Sequence, residues 1–189
     1  MTDTETWKHV FKHNSGPLAW LIMSSQLKRS AQVLWKQFDY SYSLGGEAFA
    51  ESDDQGIDIV AFFLDAIALE TILKTCRLIE GLTIPHADGR IEWQCGKGHD
   101  LAKLSAGLRC LPKTHCDPQF LGRMSEIIMW GGRYPNPNKF DKLLVEYPND
   151  AKLPPLPDDD DRQRCGQIYD TLYEFAHQEL VGKKRKPGK

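Results

Sequence analysis

Residues 57 to 80, IDIVAFFLDAIALETILKTCRLIE, constrain the fold more than any other stretch of the chain. They form its most apolar segment and are too long for a single strand, so the run predicts a central helix. Four charges lie in its second half: Glu70, Lys74, Arg77 and Glu80, stepping by four, three and three. That spacing puts them on one helical flank, with Glu70 and Lys74 at the i,i+4 distance of an ion pair. Ile59, Phe63, Ile67, Leu73 and Leu78 are expected to fill the buried side, and Gly81 to end the helix.

Such a helix needs partners, and the flanking sequence offers them. Ser15-Gly16-Pro17 reads as a helix start, with proline where its missing N–H costs nothing. Trp20, Leu21, Leu27, Ala31, Leu34 and Phe38 then recur at helical spacing, with Lys28, Arg29, Lys36 and Gln37 on the other side. This predicts a first helix of about twenty residues. Residues 39–56, with Gly45-Gly46 and several Ser and Asp, read as a long loop. After the central helix, residues 82–98 form a connector punctuated by Pro85, Gly89, Gly96 and Gly98, in which Ile84 to Trp93 has a strand-like piece without a partner strand.

Asp100 is placed to cap a third helix with Leu101, Leu104 and Leu108 on one face, weakened at Gly107 and stopped by Pro112. Asp117-Pro118 starts a short fourth one, carrying Phe120, Leu121, Met124, Ile127 and Ile128 and closed by Gly131-Gly132. Residues 133–139, RYPNPNK, are barred from a helix by two prolines, and Phe140 to Tyr147 fits either regular type. LPPLPDDDD, residues 153–161, is an extended hinge whose acidic end suits a helix N-terminus. Ile168, Leu172, Phe175, Ala176 and Leu180 mark the last helix, with Gly182 as its cap.

The expectation is an all-α fold: an up-and-down bundle of four to five helices with long irregular connectors. One domain spans residues 16–181. It follows a polar lead-in, residues 1–15, in which Trp7, Val10 and Phe11 can dock a short turn. It precedes a basic, disordered tail, residues 182–189. The 189 residues suffice for a single core. No run of ~18 apolar residues suggests a membrane span. The net charge of −2 gives no DNA signal. The polar N-terminus lacks an apolar h-region, so a cytoplasmic location is expected, with the five cysteines as reduced thiols.

Three constellations could carry chemistry. Cys95, His99, Cys110, His115 and Cys116 cluster along the chain and supply zinc-type donors. Their spacing, however, matches no zinc knuckle, and buried thiols with surface histidines explain them equally well. Arg109-x5-His115 could pair a phosphate-steadying guanidinium with an imidazole acid or base, but Pro112 sits between the two. Lys97, His99 and Asp100, with Arg133 and Tyr134 further on, could form an anion site at a helix start, or simply a capped helix with a hydrogen-bonded imidazole. No phosphate-binding glycine loop, nucleophile elbow or metalloprotease signature occurs, and no cofactor is implied.

Taken in order, the helix with Glu70-x3-Lys74, the connector ending Lys97-Gly98-His99-Asp100-Leu101-x2-Leu104, and Arg133-Tyr134-Pro135 resemble the HEPN superfamily over roughly residues 17–180. The resemblance implies a helical bundle, usually paired as a homodimer, with nucleotide or RNA as the first ligands to consider. It also implies links to toxin–antitoxin or phage-defence systems. Many members are metal-independent ribonucleases with an Arg-x4-6-His motif near the start of a late helix. Here that region, Asp161-Arg-Gln-Arg-Cys-Gly-Gln, has arginines but no histidine at that gap, so the likeness is to the non-catalytic branch. In that branch His99 and Asp100 would brace the bundle or line a groove, facing Glu70 and Lys74. Two alternatives stay open: a diverged endoribonuclease using Arg109 with His115 or His99 with Arg133, and a zinc-stabilised interaction domain.

Overall fold

The computed structural model describes residues 6, 14–45, 56–86, 88, 90–93, 98–131, 145–146, 152–153 and 158–182. Cys95, Lys97, Arg133, Tyr134, the lead-in residues Trp7, Val10 and Phe11, and all of the tail after Gly182 lie outside these residues. The fold is all-α. Its helices are α1 (Pro17–Ser43), α2 (Ile57–Ile79), α3 (Leu101–Ser105), α4 (Pro118–Glu126) and α5 (Asp159–Leu180). A wider π-type turn, Ile127–Gly131, prolongs α4. Val145–Glu146 and Lys152–Leu153 make a two-residue antiparallel ladder, β1 and β2.

Side-chain pairing fixes the direction of each helix. Lys28 and Trp35 of α1 bond Asp65 of α2, while Lys74 of α2 lies over Trp20 of α1, so α1 and α2 are antiparallel. Cys165 and Leu172 of α5 meet Asp65 and Cys76 of α2 in the same sequence direction, so these two helices are parallel. Arg123 of α4 pairs with Asp161 of α5, and Asp117 at the head of α4 pairs with Arg164, which makes α4 antiparallel to α5. In chain order α1, α2, α4 and α5 therefore alternate in direction, as in an up-and-down bundle.

Glycine and acidic caps set the boundaries. Gly16 precedes Pro17 at the start of α1. The Asp158 carboxylate accepts from the Asp161 N–H at the start of α5, and Asp159, Asp160 and Asp161 complement the positive helix end. Gly81, at φ +69°, turns the chain out of α2.

Several expectations are corrected. α1 runs on through residues 39–43, which the glycines and serines beyond them had suggested were loop. Asp39 is held there by Arg162 at 2.8 and 2.9 Å, and Tyr42 stacks on Phe38. Tertiary contacts thus extend the helix past the point where local composition turns polar. α3 ends at Ser105, before the left-handed Gly107, and Leu108 is buried from the turn that follows. The last helix is capped at Val181 rather than Gly182. Ile84 to Trp93 forms no ladder among the described residues; the His86 N–H instead bonds the Arg90 carbonyl across a turn.

The largest correction concerns α2 itself. Every residue from Ala68 to Arg77 is buried. Ile59 is exposed, and Phe63, Ile67 and Leu78 are only partly covered. Leu73 is buried as expected, and Ala61, Phe62, Ala66, Leu69, Ile72 and Cys76 form the rest of the apolar core contact. Neighbours on nearly every side bury α2, so the charged flank that usually marks a solvent face is inside. Asp65, one turn earlier, is 1% exposed. Both its oxygens are used, by Lys28 Nζ and Trp35 Nε1, each at 2.8 Å. Lys28, expected on the outer side of α1, therefore points inward.

Two outcomes test this core. Asp65→Ala strands the Lys28 ammonium and the Trp35 N–H, and should destabilise the fold by about 3 kcal/mol in a chemical melt. A change below about 1 kcal/mol would mean the pair behaves as a surface contact. The second outcome follows from Glu80. Burial raises its carboxyl pKa, but the Arg109 and Cys110 amide hydrogens and the Arg109 side chain outweigh that and hold it below the ordinary value. A depressed folded-state value means the stabilisation is complete above about 4.5, the ordinary value, and is lost as pH falls below it. Glu80→Gln should flatten the fall of melting temperature between about pH 5 and about pH 3; an unchanged acid limb would remove Glu80 from that account.

Candidate functional site

A five-residue helix such as α3 has no stability of its own, because the nucleating turn costs more than its few hydrogen bonds return. Two things hold it. Leu101 and Leu104 are fully buried, each contributing about 2 kcal/mol by burial. Polar clasps from α2 do the rest, because the charged flank runs alongside residues 98–110 in one consistent offset. Glu70 Oε2 lies 2.9 Å from His99 Nδ1. Arg77 Nη1 donates to the carbonyls of Leu104, at 3.2 Å, and Ala106, at 3.0 Å. Glu80 accepts from the backbone N–H of Arg109 and of Cys110. The last two clasps satisfy backbone groups that the end of a short helix leaves without partners.

Glu70 also pairs with Lys74 within α2. The Lys74 ammonium is boxed in by aromatic rings, 5.7 Å from the Trp20 centroid and 5.1 Å from that of Trp93. The two indoles meet edge to face at 5.5 Å. Gly98 closes this box at φ +77°, and a β-carbon there would lie 3.7 Å from both Lys74 Nζ and Trp93 Cδ1. Asp100 caps α3 by accepting from the Lys103 N–H at 3.0 Å. That bond, with the Lys103 side chain, keeps its carboxyl below the usual carboxylate range. The Leu101 N–H is satisfied by Ser125 Oγ of α4 at 2.9 Å.

The structure thus brings Glu70, Lys74, His99 and Asp100 into one neighbourhood. The charges of Glu70 and Lys74 neutralise each other, so Lys74 does not present an uncompensated positive charge to a ligand. Lys97, Arg133 and Tyr134 fall outside the described residues. Arg109 and His115 are not brought together as a catalytic pair: Arg109 meets Glu80 through its backbone N–H and, at 3.5 Å, its Nε, and His115 sits in a separate turn, Lys113–His115, beyond Pro112. The arginines that open α5 are also occupied, Arg162 by Asp39 and Arg164 by Asp117. Among the described residues no three His, Cys, Asp or Glu side chains converge as a metal site. Cys76, Cys110, Cys116 and Cys165 are free thiols.

Three features escaped sequence reasoning. Asp65 was the most accessible of them: a lone carboxylate inside FFLDAIA must find a partner if the helix is buried. Trp20 and Trp93 as walls of the Lys74 box had no local signal. Nor did the groove of about 650 Å³ beside Trp20, which Pro17, Leu18, Ile22, Met23, Gln26 and Thr71 help to line. The Trp20 Nε1 is buried, with no hydrogen-bond partner among the described residues.

Comparison with protein-family models, with curated proteins and with solved structures finds no match to this chain.

Removing one member of the Glu70–Lys74 pair leaves the other charge buried, whereas removing both does not. Glu70→Ala and Lys74→Met should each destabilise by roughly 3 kcal/mol, while the double substitution should cost clearly less than their sum in denaturant titrations. Additive losses would show that the two side chains act independently.

Proposed function

We propose that this chain is a non-catalytic, HEPN-like binding or sensing module, acting as a homodimer, with nucleotide or RNA as its ligand. The observation that carries the binding role is the groove beside Trp20. Its volume of about 650 Å³ falls in the range of small-molecule sites. Its walls are largely apolar, and the Trp20 N–H has no partner among the described residues. A buried donor left unpaired costs roughly 1–3 kcal/mol, and a small turn of the indole toward the groove would let a ligand acceptor recover it. A nucleobase has both the flat apolar face and the ring acceptors that such a wall and donor require.

The resemblance in motif order supports the HEPN-like reading, along with its link to toxin–antitoxin or phage-defence systems. The non-catalytic reading is supported by the side chains that would otherwise do chemistry. Arg162 and Arg164 are each held by a carboxylate, and His99 is tied to Glu70. Among the described helices, none is long and apolar enough to cross a membrane.

Binding is read by titrating purified protein with nucleoside monophosphates and with short single-stranded RNA, following anisotropy or heat. Trp20→Phe keeps a ring but removes the N–H, and should weaken binding roughly tenfold. Failure of every nucleotide and RNA to bind would overturn the ligand assignment. Cleavage of the RNA without added metal, lost in His99→Ala, would replace this reading with the ribonuclease alternative.

A further inference from the structure

A second cavity, of about 470 Å³, lies where α1 meets α5 over the middle of α2. It is built differently from the groove beside Trp20. Its floor is rigid: Trp35 is 5% exposed, donates to Asp65 at 2.8 Å, and carries the Arg162 guanidinium 4.1 Å above its ring. Three cations, Lys28, Lys36 and Arg162, two carboxamides, Gln32 and Gln163, and one carboxylate, Asp65, line it.

The carboxylates nearby are already engaged. Asp65 is saturated by Lys28 and Trp35, and Asp39 by the two outer nitrogens of Arg162. Asp159 acts on Arg162 through space from the start of α5. Donor capacity remains on the other side of the account. Lys28 gives one of its three hydrogens to Asp65, Arg162 keeps its Nε–H, and Lys36, Gln32 and Gln163 have no side-chain partner among the described residues.

Gly166 is an independent observation pointing at the same space. It sits inside α5, where glycine costs about 1 kcal/mol relative to alanine. Packing does not demand it, because a β-carbon there would meet nothing within 4 Å. Yet Gly166 lines this cavity, so a side chain at that position would project into or beside it.

We propose that the α1–α5 cavity is a binding site for a phosphomonoester group, held by Lys28, Lys36 and Arg162 on its oxygens, with Gln32 and Gln163 beside the attached group. A phosphomonoester carries close to two negative charges at neutral pH and three acceptor oxygens. Lys36 offers the unpaired charge, while Lys28 and Arg162, whose charges Asp65 and Asp39 balance, add the donor hydrogens they have left; ammonium and guanidinium groups are the usual partners of phosphate. This site is separate from the groove beside Trp20 and does not depend on it.

The test uses full-length protein, inorganic phosphate and ribose 5-phosphate as probes, and chloride at matched ionic strength as the control. Calorimetry should show saturable binding of both probes, tighter for ribose 5-phosphate if the carboxamides touch the attached group. Lys36→Glu, at an exposed position that leaves the core intact, should weaken binding by roughly tenfold or more. Gly166→Met should abolish it while circular dichroism keeps the helical signal. No saturable heat with either probe, or equal affinity in wild type and Lys36→Glu, would overturn the proposal. Because the Lys36 variant reports independently, a Gly166→Met protein that failed to fold would not shield it.

Discussion

The structure depends on one buried polar stripe. Glu70, Arg77 and Glu80 on α2 direct their hydrogen bonds at residues 98–110, and Lys74 sits between them, boxed by Trp20 and Trp93. Charged groups are expensive inside a protein unless each finds a partner. Here the partners are an imidazole, the carbonyls at the end of α3 and the amides after it. Those groups would otherwise be short of hydrogen bonds themselves, so the stripe and the short helix each satisfy what the other lacks. Without α3 the stripe would face water, and without the stripe five residues would not stay helical.

That reciprocity separates two roles that polar residues in a helical bundle can have. Around His99 the groups bond one another, Glu70 meeting both Lys74 and His99, which suits bracing. Around Trp20 an indole donor is left over beside an open apolar groove, and between α1 and α5 several cationic hydrogens are left over beside a cavity. Unspent hydrogen-bonding capacity next to open space is the physical mark of a binding surface, and a closed network of mutual partners is not.

Much of the architecture was legible in the sequence, because helix signals are local. Asp117-Pro118, Asp158 before three further aspartates, and Gly81 after α2 each state a boundary in a few residues. The clustering of Glu70, Lys74, His99 and Asp100 was also expected from the motif order. Legibility failed where a decision was tertiary. The end of α1 is set by Arg162, over a hundred positions away. On the apolar side of α2, Ile59 is exposed and Phe63, Ile67 and Leu78 are only partly covered, because periodicity tells which residues share a face but not which face meets another element. Lys28 was read as solvated for the same reason, and only its pairing with Asp65 shows otherwise. The cavity between α1 and α5 joins residues from both ends of the chain, and no local pattern announces it.

The stripe on α2 has one more property. Read from Glu70 to Glu80 its formal charges run minus, plus, plus, minus, which sum to zero. The clasp between α2 and residues 98–110 therefore carries no net charge, and its poles lie a turn or less apart, closer together than the Debye length of about 8 Å at physiological ionic strength. Dissolved ions have little to screen there. Salt and acid should consequently act on different parts of this molecule: acid reaches the stripe through its carboxylates, whereas added electrolyte acts first on exposed charges such as Lys36, leaving the central seam as it is.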